Sequence, residues 1–256
     1  MLGLNAARLP LTIEESVARR LRARTPTDGM KHFAPLRALR RRAAIWSALA
    51  AALTVAACGS RSAATAPSAV SAEPAAVRRI VVLGDSLAVS PSTNESFPSE
   101  LQARIARQGL RWIVTNAGVS GDTSGGGLRR VESLLASDVG VLVVALGAND
   151  GLQGVDVSIV AKNLSTIIDL AQRRNLRVLL CGMETPPAHG FDYSIAFHSL
   201  FPRLAQQHTV PLVPFFLAGV VLSPDLNGPD GIHPNAAGAR RIADTIWPYL
   251  EPLLQP

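Results

Sequence analysis

Short apolar runs alternate with amphipathic stretches from residue 77 to the end of the chain. The runs are rich in Val, Ile and Leu and are bounded by Gly, Asn, Asp or Pro, which is typical of strands. Because their apolar positions are continuous rather than alternating, we expect these strands to be buried on both faces. Five strands are predicted, at residues 80–83, 112–115, 139–146, 177–181 and 210–213.

The stretches between the predicted strands have the spacing of amphipathic helices. Gly109 and Asn175 stand where residues that end helices are expected. Helices that alternate with strands predict an α/β fold, a three-layer α/β/α sandwich with a mainly parallel five-stranded sheet. A domain of about 180 residues is large enough to be stable without disulfides or a bound metal. Helices are predicted at residues 97–108, 127–136, 155–174, 193–207 and 235–250.

The charge of the chain is concentrated before this domain. Residues 1–58 carry ten Lys or Arg residues against three acidic ones, a net charge of +7, whereas the whole chain carries +6. The remaining 198 residues are therefore close to neutral, at −1. Nucleic acids are bound through many Lys and Arg contacts to phosphate, so we expect no nucleic-acid partner.

Residues 30–57 have the order of a secretory signal peptide, with positive charges followed by a run of small apolar residues. The apolar run, at about 15 residues, is short for a membrane span. It ends in Leu-Thr-Val-Ala-Ala-Cys, which resembles the lipobox of bacterial lipoprotein signal peptides. The resemblance implies cleavage before Cys58, a lipid on that cysteine, and an exported, periplasmic protein anchored to the envelope membrane. An ordinary signal peptide and an uncleaved N-terminal anchor are the alternatives.

The segments on either side of this signal also have separate interpretations. Residues 1–29 are interpreted as a poorly structured leader or a start-site artefact, with Met30 as the initiator. Residues 58–76 consist mainly of Ala, Ser and Pro and are predicted to be a flexible linker to the domain at residues 77–256. Cys181 ends an apolar run and is expected to be a buried strand residue, so no disulfide framework is predicted.

Ser86 is the first candidate for chemistry, because it follows the first predicted strand in the sequence Gly-Asp-Ser. Open α/β folds place their reactive groups at the carboxyl ends of such strands. An isolated Gly-Asp-Ser is also common in ordinary turns. A serine is a poor nucleophile at neutral pH and needs a base within hydrogen-bond distance, which in turn needs an orienting group.

His233 is the candidate base, since it lies in a loop with Asp230 three residues earlier and Gly231 between them. In such a tight loop the carboxylate can reach Nδ1 of the imidazole while Nε2 faces outward. Alone, this pattern is more typical of a helix-capping turn. The other histidines are less informative: His32 lies in the leader, His198 and His208 suit surface or cap positions, and His189 is most simply a loop residue.

Acyl transfer also needs donors for the negative oxygen of the tetrahedral intermediate. Polar, glycine-containing loops follow the second and third strands, and they contain Gly121 and Asn149. The backbone N–H groups of Ser86 and Gly121 and the side-chain amide of Asn149 can form one oxyanion hole. The neighbouring Asp85 and Asp150 are expected to fix loops by hydrogen bonding. The histidines form no ligand cluster, so no metal or cofactor is predicted.

Taken together, these motifs resemble the SGNH (GDSL) hydrolases, and within them the bacterial periplasmic thioesterase/lysophospholipase and arylesterase branch. The resemblance covers about residues 79–250. It implies a flavodoxin-like fold with Ser86 as nucleophile, Gly121 and Asn149 in the oxyanion hole, His233 as base and Asp230 orienting the histidine. Two departures affect the substrate side: Ala148 stands where the family often has Gly, and the segment after Leu87 lacks the usual Gly and Tyr.

The predicted function is therefore a serine esterase that hydrolyses carboxylic esters or thioesters through an acyl-enzyme, without a cofactor. Its partners would be a small acyl ester or thioester substrate and, through the lipid on Cys58, a membrane. Two alternatives are a carbohydrate or peptidoglycan O-acetyl esterase and a catalytically silent lipoprotein that binds an envelope component. The oligomeric state is left open.

Overall fold

The computed structural model of the protein describes residues 77–255. The predicted leader at residues 1–29, the signal peptide at 30–57, the linker at 58–76 and the lipidation site Cys58 lie outside the described residues. None of the helices within the described part of the chain combines the length and the apolar character needed to cross a bilayer.

The centre of the domain is a parallel sheet of five strands in the order β2-β1-β3-β4-β5. Every residue of the central strand β3 is buried. A parallel strand buried in this way needs cover on both of its faces. The strands are β1 (Arg78–Gly84), β2 (Trp112–Gly118), β3 (Val139–Ala145), β4 (Arg177–Cys181) and β5 (Leu212–Val213).

Two groups of helices provide this cover, so the predicted three-layer α/β/α architecture is confirmed. In one group α2 packs against α7, and in the other α5 packs against both α3 and α6. The helices are α1 (Ser86–Val89), α2 (Phe97–Arg107), α3 (Ser124–Leu134), α4 (Ala148–Gln153), α5 (Val157–Arg173), α6 (Phe191–His208) and α7 (Ala236–Leu250), with short 3₁₀ turns at Pro187–His189 and Glu251–Leu254.

The apolar runs that predicted the strands form the core between these layers. Residues 80–83 of β1 are completely buried, and so are Leu142 of β3 and Phe197 and Phe201 of α6. Cys181, at the end of β4, is a buried free thiol, as expected, and burial raises its pKa. It therefore acts as an apolar packing residue.

Two helix ends follow the predicted breakers, whereas four of the five predicted helix starts differ, those of α6 and α7 by two residues and one residue. Gly109 and Asn175 have positive φ angles of 67° and 58° just after α2 and α5. Helix α5 starts two residues later than predicted because Asp156 caps it, its carboxylate accepting from Ser158 N. Helix α3 starts at Ser124 rather than at residue 127, because Thr123 caps it through Gly126 N.

The last strand, β5, is shorter than the predicted 210–213 and contains only Leu212 and Val213. Pro211 has no N–H to donate to a ladder, although its carbonyl accepts from Leu180 N at 3.0 Å. The strand therefore begins after the proline.

The strand order places a topological switch point at the carboxyl ends of β1 and β3. From β1 the chain continues to β2 on one side of the sheet, whereas β3 lies on the other side. Ligand sites of open α/β sheets lie in the crevice at such a point. The segments that follow β1, β2 and β3 contain Ser86, Gly121 and Asn149 respectively.

Candidate active site

Ser86 is the first residue of the short helix α1, which is separated from the end of β1 by a single residue. Asp85 stands between them and caps this helix, its Oδ1 accepting from Leu87 N at 3.0 Å. No helix was predicted at this position, so the four-residue helix is a finding of the structure. The capped turn presents Ser86 Oγ 2.9 Å from His233 Nε2, although the two residues are 147 positions apart.

Asp230 contacts the other side of the imidazole, with its Oδ2 2.6 Å from His233 Nδ1. Its second oxygen accepts from the backbone N–H groups of Ile232 and His233, both at 3.0 Å. The hydrogen bonds from the imidazole and from these N–H groups hold the pKa of Asp230 well below its usual range. The carboxylate is therefore ionised at neutral pH, and an Nδ1–H donor leaves Nε2 free to accept from the Ser86 hydroxyl.

Backbone hydrogen bonds close the loop that carries Asp230 and His233. Gly228 N donates to His233 O at 2.8 Å, and Asn235 N donates to Leu226 O at 3.0 Å. Gly231 has a φ angle of +70°, a conformation that favours glycine, at the point where the chain folds back. The predicted tight turn is therefore present, and it brings the carboxylate to the imidazole.

The three predicted oxyanion donors are joined through Asn149, on the short helix α4. Its Nδ2 donates to the backbone oxygen of Asp122, next to Gly121, at 2.8 Å and lies 3.4 Å from Asp85 Oδ2, next to Ser86. Within the described residues, the backbone N–H groups of Ser86 and Gly121 donate to no protein acceptor. The structure thus brings the three segments together and leaves two of the donors free.

Asp150 fixes α4, as expected of a loop-holding carboxylate, but its partner was not predicted. It is buried and accepts from Ser124 N at 2.7 Å and from Ser124 Oγ at 2.6 Å. Asn163 Nδ2 donates to the same hydroxyl at 3.1 Å. Ser124 gave no signal in the sequence, because the predicted helix began three residues later, at residue 127.

Asn116, at the end of β2, holds α1 in place. Its Nδ2 donates to Ala88 O at 2.7 Å, and its Oδ1 accepts from Gly118 N at 2.9 Å. It is therefore a structural residue for the helix that carries Ser86.

Asp85 is almost completely buried beside these donors. Burial raises its pKa to about 6, and repulsion from Asp122 acts in the same direction, whereas the hydrogen bond from Leu87 N and the charge of His233 lower it. Asp85 therefore changes its charge at a pH close to neutral.

The remaining histidines of the domain lie outside this constellation. His189 Nε2 is 3.0 Å from Leu152 O, so this residue contacts the end of α4. His198 pairs with Glu184 on the surface, and His208, the last residue of α6, is bonded to Ser165. Within residues 77–255 no cluster of His, Cys, Asp or Glu has the arrangement of metal ligands.

Apolar side chains are exposed on the loops and helix starts at this same edge of the sheet. A groove of about 490 Å³ adjoins the His233 loop and is lined by Leu222, Pro224 and Pro229 among others. Exposed apolar residues on the segments that follow the strands are Val119, Leu152, Phe191, Ile195, Leu222 and Ile232. The edge of the sheet that carries Ser86 therefore exposes apolar surface on several of its segments.

The comparison with known protein families agrees with this geometry. Residues 82–241 match the model of the GDSL-like lipase/acylhydrolase family, which is more than half of the chain. The chain belongs to this family. A GDSL-like lipase/acylhydrolase is a hydrolase that acts on ester bonds, so the enzyme class predicted from the sequence is confirmed.

Individual GDSL-like relatives align over about 70% of this chain. Esterase TesA of Pseudomonas aeruginosa is 40% identical over 183 residues, which cover 70% of this chain and 91% of that protein. Arylesterase of Vibrio mimicus is 36% identical and covers 69% of this chain and 90% of its own. Thioesterase 1/protease 1/lysophospholipase L1 of Escherichia coli is also 36% identical, with coverage of 70% and 86%.

The GDSL-like fold is also found in solved structures. The crystal structure of TesA superposes with a TM-score of 0.65 and 38% identity, and the match covers 69% of this chain and 99% of that one. The resemblance inferred from the motifs is thus confirmed in family and in fold.

Proposed function

We propose that this protein is a serine esterase in which Ser86 is the nucleophile, His233 the general base and Asp230 the group that orients the histidine. One observation carries the proposal: Ser86 Oγ, the His233 ring and the Asp230 carboxylate form a continuous chain, with separations of 2.9 Å and 2.6 Å. A nucleophile bonded to a base that is itself oriented by a third group is the arrangement that acyl transfer requires.

The reaction takes two steps that share the same groups. In the first, Ser86 Oγ attacks the substrate carbonyl carbon while His233 Nε2 takes the hydroxyl proton, and the imidazolium is stabilised by ionised Asp230. His233 then returns the proton to the leaving alcohol or thiol, and an acyl-Ser86 ester remains. In the second step water attacks this ester while His233 Nε2 takes its proton, and the imidazolium then gives the proton to Ser86 Oγ as the acid leaves.

The oxyanion of each tetrahedral intermediate would be bound by Ser86 N, Gly121 N and Asn149 Nδ2. The two backbone donors are free, and the 3.4 Å contact of Nδ2 with Asp85 is weak enough to be exchanged for a bond to the substrate oxygen. Such donors act best where charge develops in the transition state.

The substrate we propose is a carboxylic ester or thioester with an apolar acyl or alcohol part. The exposed apolar side chains on the segments at the same edge of the sheet support this choice, and so do relatives whose names include esterase, arylesterase, thioesterase and lysophospholipase. A panel of acyl chain lengths, each presented as a matched oxygen ester and thioester, measures this preference. Acetylated sugars in the same panel test the O-acetyl esterase alternative.

The test of the catalytic assignment is hydrolysis of p-nitrophenyl butyrate by the purified protein. We expect Ser86→Ala to abolish the activity and to prevent labelling by a fluorophosphonate probe, whose adduct mass spectrometry should place on Ser86. Ser133→Ala, which changes an exposed serine of α3, is the matched control and should leave both unchanged. Activity that survives in Ser86→Ala would defeat the assignment, and absence of both activity and labelling in the unchanged protein would favour a silent binding protein.

We further propose that residues 30–57 direct export to the periplasm and that Cys58 carries a lipid, with residues 58–76 linking it to the hydrolase domain. The support is the sequence pattern of a positive segment, an apolar run and a terminal cysteine. Mass spectrometry of the mature N-terminus and fractionation of Cys58→Ser test this proposal. An unmodified chain that starts upstream of Cys58 would contradict it.

A further inference from the structure

Arg130, the seventh residue of α3, donates to three acceptors, which lie on β1, on β2 and on the loop after β2, at the candidate active edge of the sheet. Its Nε donates to Asp122 Oδ2 at 2.8 Å, its Nη1 to Ala117 O at 2.6 Å and its Nη2 to Gly84 O at 3.0 Å. The side chain is 23% exposed and that of Asp122 is 10% exposed, so this contact is largely shielded from water. The planar guanidinium, with N–H groups in fixed directions, suits three acceptors at once.

Each acceptor of Arg130 adjoins a proposed oxyanion donor or its loop. Gly84 is two residues before Ser86, and its carbonyl also accepts from Val119 N of the next loop at 3.1 Å. Asp122 follows Gly121 directly, and its backbone oxygen accepts from Asn149 Nδ2 at 2.8 Å. The position of all three donors therefore depends on segments that Arg130 joins.

The charge of Arg130 has a second consequence. The Asp122 carboxylate is near enough to disfavour the ionised form of Asp85, which is itself next to Ser86. A negative charge at this place also opposes the oxyanion that forms during acyl transfer. The guanidinium is always protonated and donates to Asp122 Oδ2 at 2.8 Å, so it offsets part of this charge.

We propose that Arg130 is a positioning residue for catalysis, which holds Ser86 N, Gly121 N and Asn149 Nδ2 in one oxyanion hole and balances the charge of Asp122. This inference rests on the proposed serine esterase function. Arg130 acts through the donors and does not touch the substrate.

The decisive variants are Arg130→Met and Arg130→Lys, with Arg129→Met as the matched control, since Arg129 is the exposed neighbour on the same helix. For p-nitrophenyl butyrate we expect Arg130→Met to lower kcat by about 10²-fold, similar to the loss of one oxyanion donor, with KM nearly unchanged. Labelling of Ser86 by a fluorophosphonate should slow by a similar factor, because its phosphoryl oxygen uses the same donors. Arg129→Met should stay within about twofold of the unchanged protein, the variation expected of a surface substitution.

Two further measurements separate positioning from a simple loss of folding. Active-site titration and the thermal midpoint give the folded fraction, and we expect the kcat loss to persist after this correction. Added guanidinium ion should restore part of kcat in Arg130→Ala, and Asp122→Asn should restore part of it in Arg130→Met. If Arg130→Met does not fold, Arg130→Lys applies the same criterion, since an ammonium keeps the charge but donates from one nitrogen and lacks the planar fork from which Nε, Nη1 and Nη2 reach three acceptors.

An Arg130 variant that is folded and has unchanged kcat and labelling rate would overturn the inference. A loss of kcat explained entirely by the unfolded fraction would overturn it as well. Ser86→Ala is measured in parallel to keep the two proposals apart. If the unchanged protein has no Ser86-dependent activity, the serine esterase proposal fails and this inference falls with it, whereas an active protein with an equally active Arg130→Met defeats the role of Arg130 alone.

Discussion

At the scale of single residues, Asp230 determines which nitrogen of His233 carries the proton. In Asp230→Asn the side-chain oxygen can still accept from the N–H groups of Ile232 and His233, but the amide presents a donor to Nδ1. Nε2 is then protonated and cannot accept from Ser86. Because Asp230 is largely exposed, we expect kcat to fall by about 10²–10⁴-fold, up to the loss typical of a buried triad carboxylate.

The measurement is the hydrolysis of p-nitrophenyl butyrate at a pH where the unchanged protein is most active. Asp225→Asn is the control, since Asp225 is an exposed carboxylate in the same loop whose side chain holds no hydrogen bond in the described structure. Equal activity of Asp230→Asn and Asp225→Asn would contradict an orienting role for Asp230.

Asp85 makes stability depend on pH. Its folded pKa is raised from 3.8 to about 6, so the folded state binds this proton more tightly than the unfolded state. The resulting stabilisation is complete below about pH 4 and is lost as the pH rises through 6, and above that the buried charge costs about 3 kcal/mol. Asp85→Asn removes the charge and keeps an oxygen for Leu87 N.

We therefore expect Asp85→Asn to raise the free energy of unfolding at pH 7.5 by up to about 3 kcal/mol and to have little effect at pH 4. Urea denaturation of the two proteins at both pH values measures the difference. Asp192→Asn, which changes an exposed carboxylate of α6, should show no such pH dependence. An equal effect of Asp85→Asn at both pH values would contradict the assignment of the shift to Asp85.

The sequence indicated the reactive side chains better than it indicated the residues that support them. Ser86, His233 and Asp230 stood out in combination, because together they supply the nucleophile, base and orienting group of acyl transfer, although each pattern alone is common. The roles of Ser124, Asn163 and Arg130 depend on contacts across 26, 39 and 46 positions, which no local pattern contains. Their side-chain types are also ordinary on helices, so only the folded structure identifies them.

At the scale of secondary structure elements, strands and long helices were predicted in the correct order, whereas the two short helices of the site were not. Helix α1 has four residues and α4 has six, which is too short for a 3.6-residue period to appear. The start of α3 was missed because glycines at 125–127 disfavour a helix. Close packing explains why glycines stand at these helical positions. A Cβ on Gly127 would collide with the Leu146 side chain, and one on Gly126 with the Asp122 carboxylate.

Helix α1 is held so closely against β2 that Gly118 tolerates no side chain. A Cβ there would lie 2.9 Å from Ala88 Cβ, from Asp85 O and from Val89 Cγ1. Two of these atoms belong to the helix that carries Ser86, and the third to its capping residue. We expect Gly118→Ala to cost about 1–3 kcal/mol of stability and to lower kcat in the fraction that remains folded.

Thermal denaturation and active-site titration measure these two effects separately. Gly125→Ala is the matched control, because its new Cβ would have only ordinary contacts, the nearest at 3.5 Å, and would lie in helix α3. It should be neutral or slightly stabilising, as alanine is favoured over glycine in helices. Normal stability and kcat in Gly118→Ala would show that α1 can shift without loss of the site.

At the scale of the whole molecule, the strand order determines where chemistry is possible. β1 is paired in parallel with β2 on one side and with β3 on the other. All three strands therefore end at one edge of the sheet, and the segments that follow them begin there. The loop with Asp230 and His233 directly precedes α7, near the end of the sequence. It reaches the same edge of the sheet across 147 positions. The sequence predicted the parallel sheet, but the meeting of Ser86 and His233 depends on the fold.

All groups of the proposed mechanism lie within the described residues, and this leads to a prediction about the rest of the chain. The family match at residues 82–241 and relatives that align over 86–91% of their own length support a domain that is complete in itself. We expect a protein of residues 77–256 to fold in a single cooperative transition and to hydrolyse p-nitrophenyl butyrate with the same kcat/KM as the full chain in detergent. In the unprocessed full chain the N-terminal region carries the positive charge, so its removal should change membrane association and retention on an anionic resin, but not the esterase rate. A shortened protein that is folded but much slower than the full chain would mean that the N-terminal region contributes to the active site.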